Sequence, residues 1–133
     1  MSINPYQKYQ QNSVMTASPG ELTLMLYEGC LKFIKQGREA IKNQDISTQN
    51  TVIQKAQAII NELIVTLDRK QPISNEMLPL YDYINRRLIE ANIKNDPTIL
   101  DEAEELVMNF RDAWREVIKT TRKNQPQKQT GLA

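Results

Sequence analysis

The sequence predicts an all-α protein: an antiparallel four-helix bundle preceded by an N-terminal extended segment that caps it. Three observations carry that expectation. Four stretches repeat apolar residues every three or four positions, the period of a helix with one buried face. Helix-start and helix-stop residues bound these stretches, and the connections are short, which makes sequence neighbours antiparallel. Glycine is scarce, at 4 of 133 residues, and the 6 prolines fall mostly outside the periodic stretches, which disfavours an all-β design. The expected division is an exchangeable cap over residues 1–17, the bundle over 18–121 and a flexible tail over 122–133.

The first helix opens on a capping box, with Ser18 as N-cap, Pro19 in the first helical position and Glu21 reaching back. Its period runs to about Asn43. Asp45 is placed to cap the second helix, where Ile53, Ala56, Ile60, Leu63 and Leu67 step by three and four. That helix is expected to stop near Lys70, ahead of Pro72. The third starts near Ser74 or Asn75, which puts Pro79 close to the first turn, or else nearer Leu78. Met77, Tyr81, Ile84, Leu88 and Ala91 mark its buried face. Asn95-Asp96-Pro97 closes the third helix and opens the fourth, with Asp96 as N-cap. Ile99, Ala103, Leu106, Phe110, Trp114 and Val117 then line one side. Arg115, Lys119, Arg122 and Lys123 favour the negative end of that helix dipole.

Composition removes several function classes. The net charge of +1 argues against a nucleic-acid binder, which tracks phosphates with a strongly basic face. No apolar run approaches the roughly 20 residues of a membrane span, and no signal-peptide pattern opens the chain. Cys30, the single cysteine, lies in an apolar run and reads as a buried, inert thiol, in keeping with a cytoplasmic protein. The chain has no histidine. That removes the commonest general base, the commonest transition-metal ligand, Cys-His nucleophiles and the Glu-x-x-His pairs of di-iron bundles. The acidic run Asp101-Glu102-Ala103-Glu104-Glu105 falls in the first turns of a helix, where carboxylates suit the positive dipole end. No Gly-rich phosphate loop is present. The reading is a binding protein without cofactor or metal, and not an enzyme.

The first helix has too much apolar surface for one core. At about 100° per residue its apolar positions sweep roughly 260°, against about 140° for the second and fourth helices. Leu22, Leu26, Phe33 and Ala40 form one stripe; Leu24, Tyr27, Leu31 and Ile34 form a second, well round the helix. Two readings stand side by side: a helix touching three neighbours inside the fold, or a stripe covered from outside. The N-terminal segment is the nearest cover, since Tyr6, Tyr9 and Val14 supply an apolar face among glutamines and asparagines. A cover of that kind is exchangeable for a partner helix with better anchors.

Three blocks carry a family resemblance. "NPYQKYQQNSVMTASPGELTLMLYEGCLKFI" at 4–34, "LYDYINRRLIEANIKND" at 80–96 and "FRDAW" at 110–114 resemble the flagellar export chaperones called FliS. The resemblance implies a cytoplasmic four-helix bundle that binds the disordered C-terminal segment of new flagellin and blocks premature polymerisation. It also implies that the N-terminal segment lies over part of the client surface in the free chaperone. Positions matching Tyr6 and Tyr9 would dock on the cytoplasmic domain of the export-gate protein FlhA. Candidate client contacts are the second stripe (Leu24, Tyr27, Leu31 and Ile34), Ile59 and Leu63 on the second helix, and Leu80 and Tyr83 on the third. Tyr83 is included because it falls outside the main apolar arc of its helix. Arg86, Arg87 and Asn92 can pair polar client groups or simply satisfy a helix end. Competing readings are a regulatory or structural bundle that dimerises weakly through the first helix without a client, and a carboxylate-only metal enzyme.

Overall fold

The computed structural model describes residues 18–124, with the side chains of Pro19 and of residues 122–124 outside that description. The expected N-terminal cap, with Tyr6, Tyr9 and Val14, and the end of the C-terminal tail lie outside the described residues. Four helices follow one another: α1 (Pro19–Lys42), α2 (Ile46–Thr66), α3 (Ser74–Lys94) and α4 (Pro97–Asn124). No strand occurs among the described residues. Each helix packs on its sequence neighbour, and α4 closes the square against α1, while the two diagonal pairs make no close main-chain approach. Contacts such as Arg38 with Asp101 and Gly20 with Trp114 pair the end of α1 with the start of α4 and the reverse, so the neighbours run antiparallel.

The helix ends follow local chemistry. Ser18 accepts the Glu21 N–H while the Glu21 carboxylate accepts from the Ser18 N–H, which completes the capping box. α1 leaves through a Schellman turn in which Gln44 and Asp45 donate to the carbonyls of Ile41 and Ala40. Gln44 takes the left-handed conformation there, with φ 57°, although it is not glycine. Asp45 accepts from the Thr48 N–H and caps α2. Asp96 accepts from the Thr98 N–H at 2.9 Å and caps α4.

Two boundaries differ from the expected ones. α2 stops at Thr66 and not near Lys70, because Leu67 is extended and the connection folds on itself. Its Asp68 side chain accepts from the Lys70 N–H, and its carbonyl accepts from the Ser74 hydroxyl. Pro79 is the sixth residue of α3 and lies beyond the first turn. It removes the donor for the Asn75 carbonyl, at an exposed position where water can serve instead. α4 continues to Asn124, past the expected end of the bundle at 121.

The core runs the length of the square. Tyr27, Cys30, Ile34, Ile53, Ile60, Ile84, Leu88, Leu100 and Val107 are its most deeply buried members. Each large aliphatic side chain there stabilises the fold by about 1.5–3 kcal/mol over its exposed state. Cys30 faces the Ala56 carbonyl, with 3.8 Å from Sγ to the oxygen, and burial pushes its thiol up to about 12. Among the described residues, no helix is long and apolar enough to cross a membrane.

Candidate partner-binding surface

The wide apolar arc of α1 is absorbed inside the bundle. Tyr27, Leu31 and Ile34 are buried, Leu24 is half-buried, and Ile59 and Leu63 of α2 are buried as well. In this structure three of the four residues of the second stripe are buried and the fourth, Leu24, is half-buried. The physical reason is that α1 serves two flanking helices and also reaches the diagonal one. Tyr27 crosses the square to place its hydroxyl 2.5 Å from that of Tyr81 on α3, and its ring stacks on Phe110 of α4 at 5.9 Å. Tyr81 tilts against the same ring at 5.1 Å. Burial raises both phenols above the usual tyrosine range, that of Tyr27 the further.

α3 presents the remaining candidates on its outer side. Leu80 is exposed. Tyr83 is half-buried, and its hydroxyl donates to Glu102 at 2.8 Å. The Arg87 guanidinium lies 6.0 Å from the Tyr83 ring and also donates to Glu102, at 2.6 Å, and to Glu90. The hydrogen bond from Tyr83 and then that from Arg87 hold the Glu102 carboxyl below its usual range. Tyr83 thus ties α3 to α4 from a half-buried position. Arg86 is exposed, with only a loose pairing to Asp82 at 3.6 Å.

The seam between α2 and α3 has another chemistry, built almost wholly from amides. Buried Gln49 donates through Nε2 to the Asn92 side-chain and main-chain oxygens and to Asn95. Asn92 donates to Asn50, and Asn85 donates to Asn61, each at 3.0 Å. Among the described residues, Gln49 Oε1 and Asn85 Oδ1 are buried without a partner. Beside this seam stand Ile89 and Ile93, one turn apart on α3, and Ile46 at the start of α2; Ile93 is 75% exposed. By contrast α1 and α4 are joined by ion pairs, Arg38 with Asp101 and Glu104, and Arg115 with Glu28. Burial works against the Arg38 charge, but Glu104 and Asp101 more than offset it.

A model of the family described as "Flagellar protein FliS" matches residues 2–121. The chain belongs to the FliS family. The flagellar secretion chaperone FliS of Bacillus subtilis (strain 168) is 55% identical over 121 residues, covering 91% of each chain. That of Salmonella typhimurium is 34% identical over 110 residues, covering 80% of this chain and 82% of its own. A solved structure described as a flagellar chaperone from bacteria superposes with a TM-score of 0.73 at 20% identity, covering 86% of this chain and 95% of that one; it supports the fold alone. As a FliS chain, the molecule is a flagellar chaperone by family.

The isoleucines beside the amide seam were not among the residues expected to meet a partner. The signal that singled out Tyr83 was available for them. Ile89 and Ile93 fall outside the buried arc of Tyr81, Ile84, Leu88 and Ala91, and in this FliS chain both are exposed where Tyr83 is half-buried.

Proposed function

We propose that this FliS-family chain is a cytoplasmic chaperone that holds the disordered C-terminal segment of flagellin and delivers it to the export gate. The observation that carries the reading is the 55% identity to a flagellar secretion chaperone over 91% of both chains. The chain acts by binding and needs neither catalysis nor a cofactor, nucleic acid or membrane insertion. A client of this kind folds as it binds: it wraps a large surface, and the ordering cost keeps the complex reversible. Its first contacts are the exposed or half-exposed side chains Leu24, Leu80 and Tyr83, with Ile89 and Ile93 added. Buried Tyr27, Leu31, Ile34, Ile59 and Leu63 take part only by shaping the surface from beneath or by local opening. The segment before Ser18, with Tyr6, Tyr9 and Val14, serves as the exchangeable cover and presents Tyr6 and Tyr9 to the FlhA cytoplasmic domain.

The test is a titration of the full chain with a flagellin C-terminal peptide of about forty residues, followed by heat and by helicity. A one-to-one complex with a large negative heat-capacity change and a gain of helix is expected. An Ile89→Asp, Ile93→Asp double variant weakens it about tenfold or more. No binding to a cognate tail, together with a tight dimer of the free chain, would replace this reading with the dimerising bundle. A Tyr6→Ala, Tyr9→Ala double variant separates the gate from the client. Normal binding to both would remove the docking role.

A further inference from the structure

One end of the bundle carries a half-open hollow. A cavity of about 210 Å³ lies among the start of α1, the 67–73 connection, the first turns of α3 and the second half of α4. Leu63, Leu67, Ile73, Met77 and Trp114 give it apolar walls, and Tyr27 and Tyr81 line it too. An enclosed apolar cavity of about 150 Å³ already holds a benzene ring, and this half-open one has room for a compact group of similar size.

The tyrosine pair dictates what such a group must carry. Only one of the two hydroxyls can donate across the 2.5 Å between them, and the other keeps its proton. Both side chains are buried, at 1% and 2% exposure, and neither hydroxyl has a second partner among the described residues. A buried O–H with nothing to donate to is unfavourable, and an acceptor placed there would be held. The hydroxyls of Thr66 and Ser74, on the same lining, already donate to the carbonyls of Glu62 and Asp68. Asp68 is the one charged residue on the lining, so an anion is disfavoured, and a cation would lose its water for a single partner.

We infer that this cavity is a binding seat for a neutral, compact group with an apolar body and one hydrogen-bond acceptor, which takes the unspent phenol proton of the Tyr27–Tyr81 pair. An amide-tipped side chain of a bound polypeptide and a free small ketone or amide share that chemistry. The probe is cyclohexanone, with methylcyclohexane as its partner lacking an acceptor. Each is titrated into the full chain while the indole N–H resonance of Trp114, the single tryptophan, is followed by NMR.

Both probes should shift that resonance saturably. A Tyr27→Phe, Tyr81→Phe double variant, which keeps both rings, should lose roughly 3- to 10-fold in cyclohexanone affinity and nothing in methylcyclohexane affinity. Tyr81→Phe alone should keep the ketone, because the Tyr27 hydroxyl is then free to donate. Thr66→Phe, which fills the cavity from an exposed position, should abolish both shifts. The inference is overturned if the wild-type resonance does not respond, if the shift survives Thr66→Phe, or if a folded double variant holds cyclohexanone as tightly as wild type. A final arm rests on the proposed client: adding the flagellin C-terminal peptide at saturation. Displacement of cyclohexanone assigns the seat to a side chain of the bound chain, and retention assigns it to a free small molecule. The probe titration needs no flagellin, so the seat can fail while the chaperone reading stands, and the reverse.

Discussion

The two ends of the bundle are packed by different rules. Where α1 finishes and α4 starts, alanines and a glycine stand among the buried aliphatic side chains. Ala40, Ala91 and Ala103 are buried there, and a methyl group added to Gly37 would meet Ile53 Cγ1 at 2.9 Å and Leu100 Cδ1 at 3.6 Å. Where α1 starts, Tyr27, Tyr81, Phe110 and Trp114 span the same square, and a half-open cavity lies beside Tyr27, Tyr81 and Trp114. The Trp114 indole donates to the Gly20 carbonyl at 2.7 Å and ties the start of α1 to the second half of α4. The first end combines close packing with the Gln49 amide bonds and the Arg38 ion pairs. The second leaves open space beside its aromatic rings.

The largest expected effect separates the two ends directly. Leu100→Ala, at a fully buried position in the close-packed end, should cost about 3–5 kcal/mol in urea unfolding. Phe110→Ala should cost at least about 1 kcal/mol less, since its ring is only half-buried and sits at the aromatic end. Equal costs would mean that the ends do not differ mechanically.

A glycine pair sharpens the same contrast at smaller amplitude. Gly37→Val should destabilise by about 1–3 kcal/mol through overpacking against Ile53. Gly20→Ala meets nothing nearer than Ile118 Cγ1 at 3.5 Å, so it should be neutral or stabilise by up to about 1 kcal/mol. Thermal unfolding of both variants decides; a stabilising Gly37→Val would contradict the close-packed description.

Ser18→Ala should cost about 1 kcal/mol by undoing the capping box, and Glu21→Ala somewhat less, because it removes only the reciprocal half. The pH profile carries the smallest effect near neutrality. Asp45, Asp96, Glu90 and Glu102 hold their carboxyls below the usual range through hydrogen bonds from Thr48, Thr98, Lys94 and Tyr83 respectively. Their contribution is complete above the ordinary carboxylate range and is lost as pH falls through their lowered folded values. Tyr27, Tyr81 and Cys30 are raised by burial, so stability also declines once pH rises past the ordinary thiol and phenol ranges, where the unfolded chain ionises first. With no histidine, stability should be flat between roughly pH 5.5 and 8. A step between pH 6 and 7 in denaturant unfolding would show that another group is coupled to folding.

The parts of the fold legible in the sequence are those set by a few adjacent residues. Ser18 with Glu21, Asp45, and Asp96 with Pro97 fix three helix starts through their own side chains, and all three are where the pattern put them. The end of α2 was not legible, because it depends on Asp68 and Ser74 meeting across the connection. Nor was the fate of the second stripe on α1. Its period shows that Tyr27 is apolar and lies apart from Leu26, but not that Tyr81 waits on the diagonal helix to receive it. The outward isoleucines were readable by the arc of α3, yet an exposed isoleucine and a core isoleucine look alike until the neighbouring helix is placed.

Cys30 gives the molecule an internal clock. Its thiol sits midway along α1 against the α2 main chain, fully buried and raised to about 12, so almost no thiolate exists in the closed bundle at neutral pH. A disulfide reagent must then wait for α1 to part from α2, and the slow labelling rate in excess reagent times that separation. A partner that clamps the two helices together lengthens the interval between openings, while one that merely rests on the outer face of α3 leaves it unchanged.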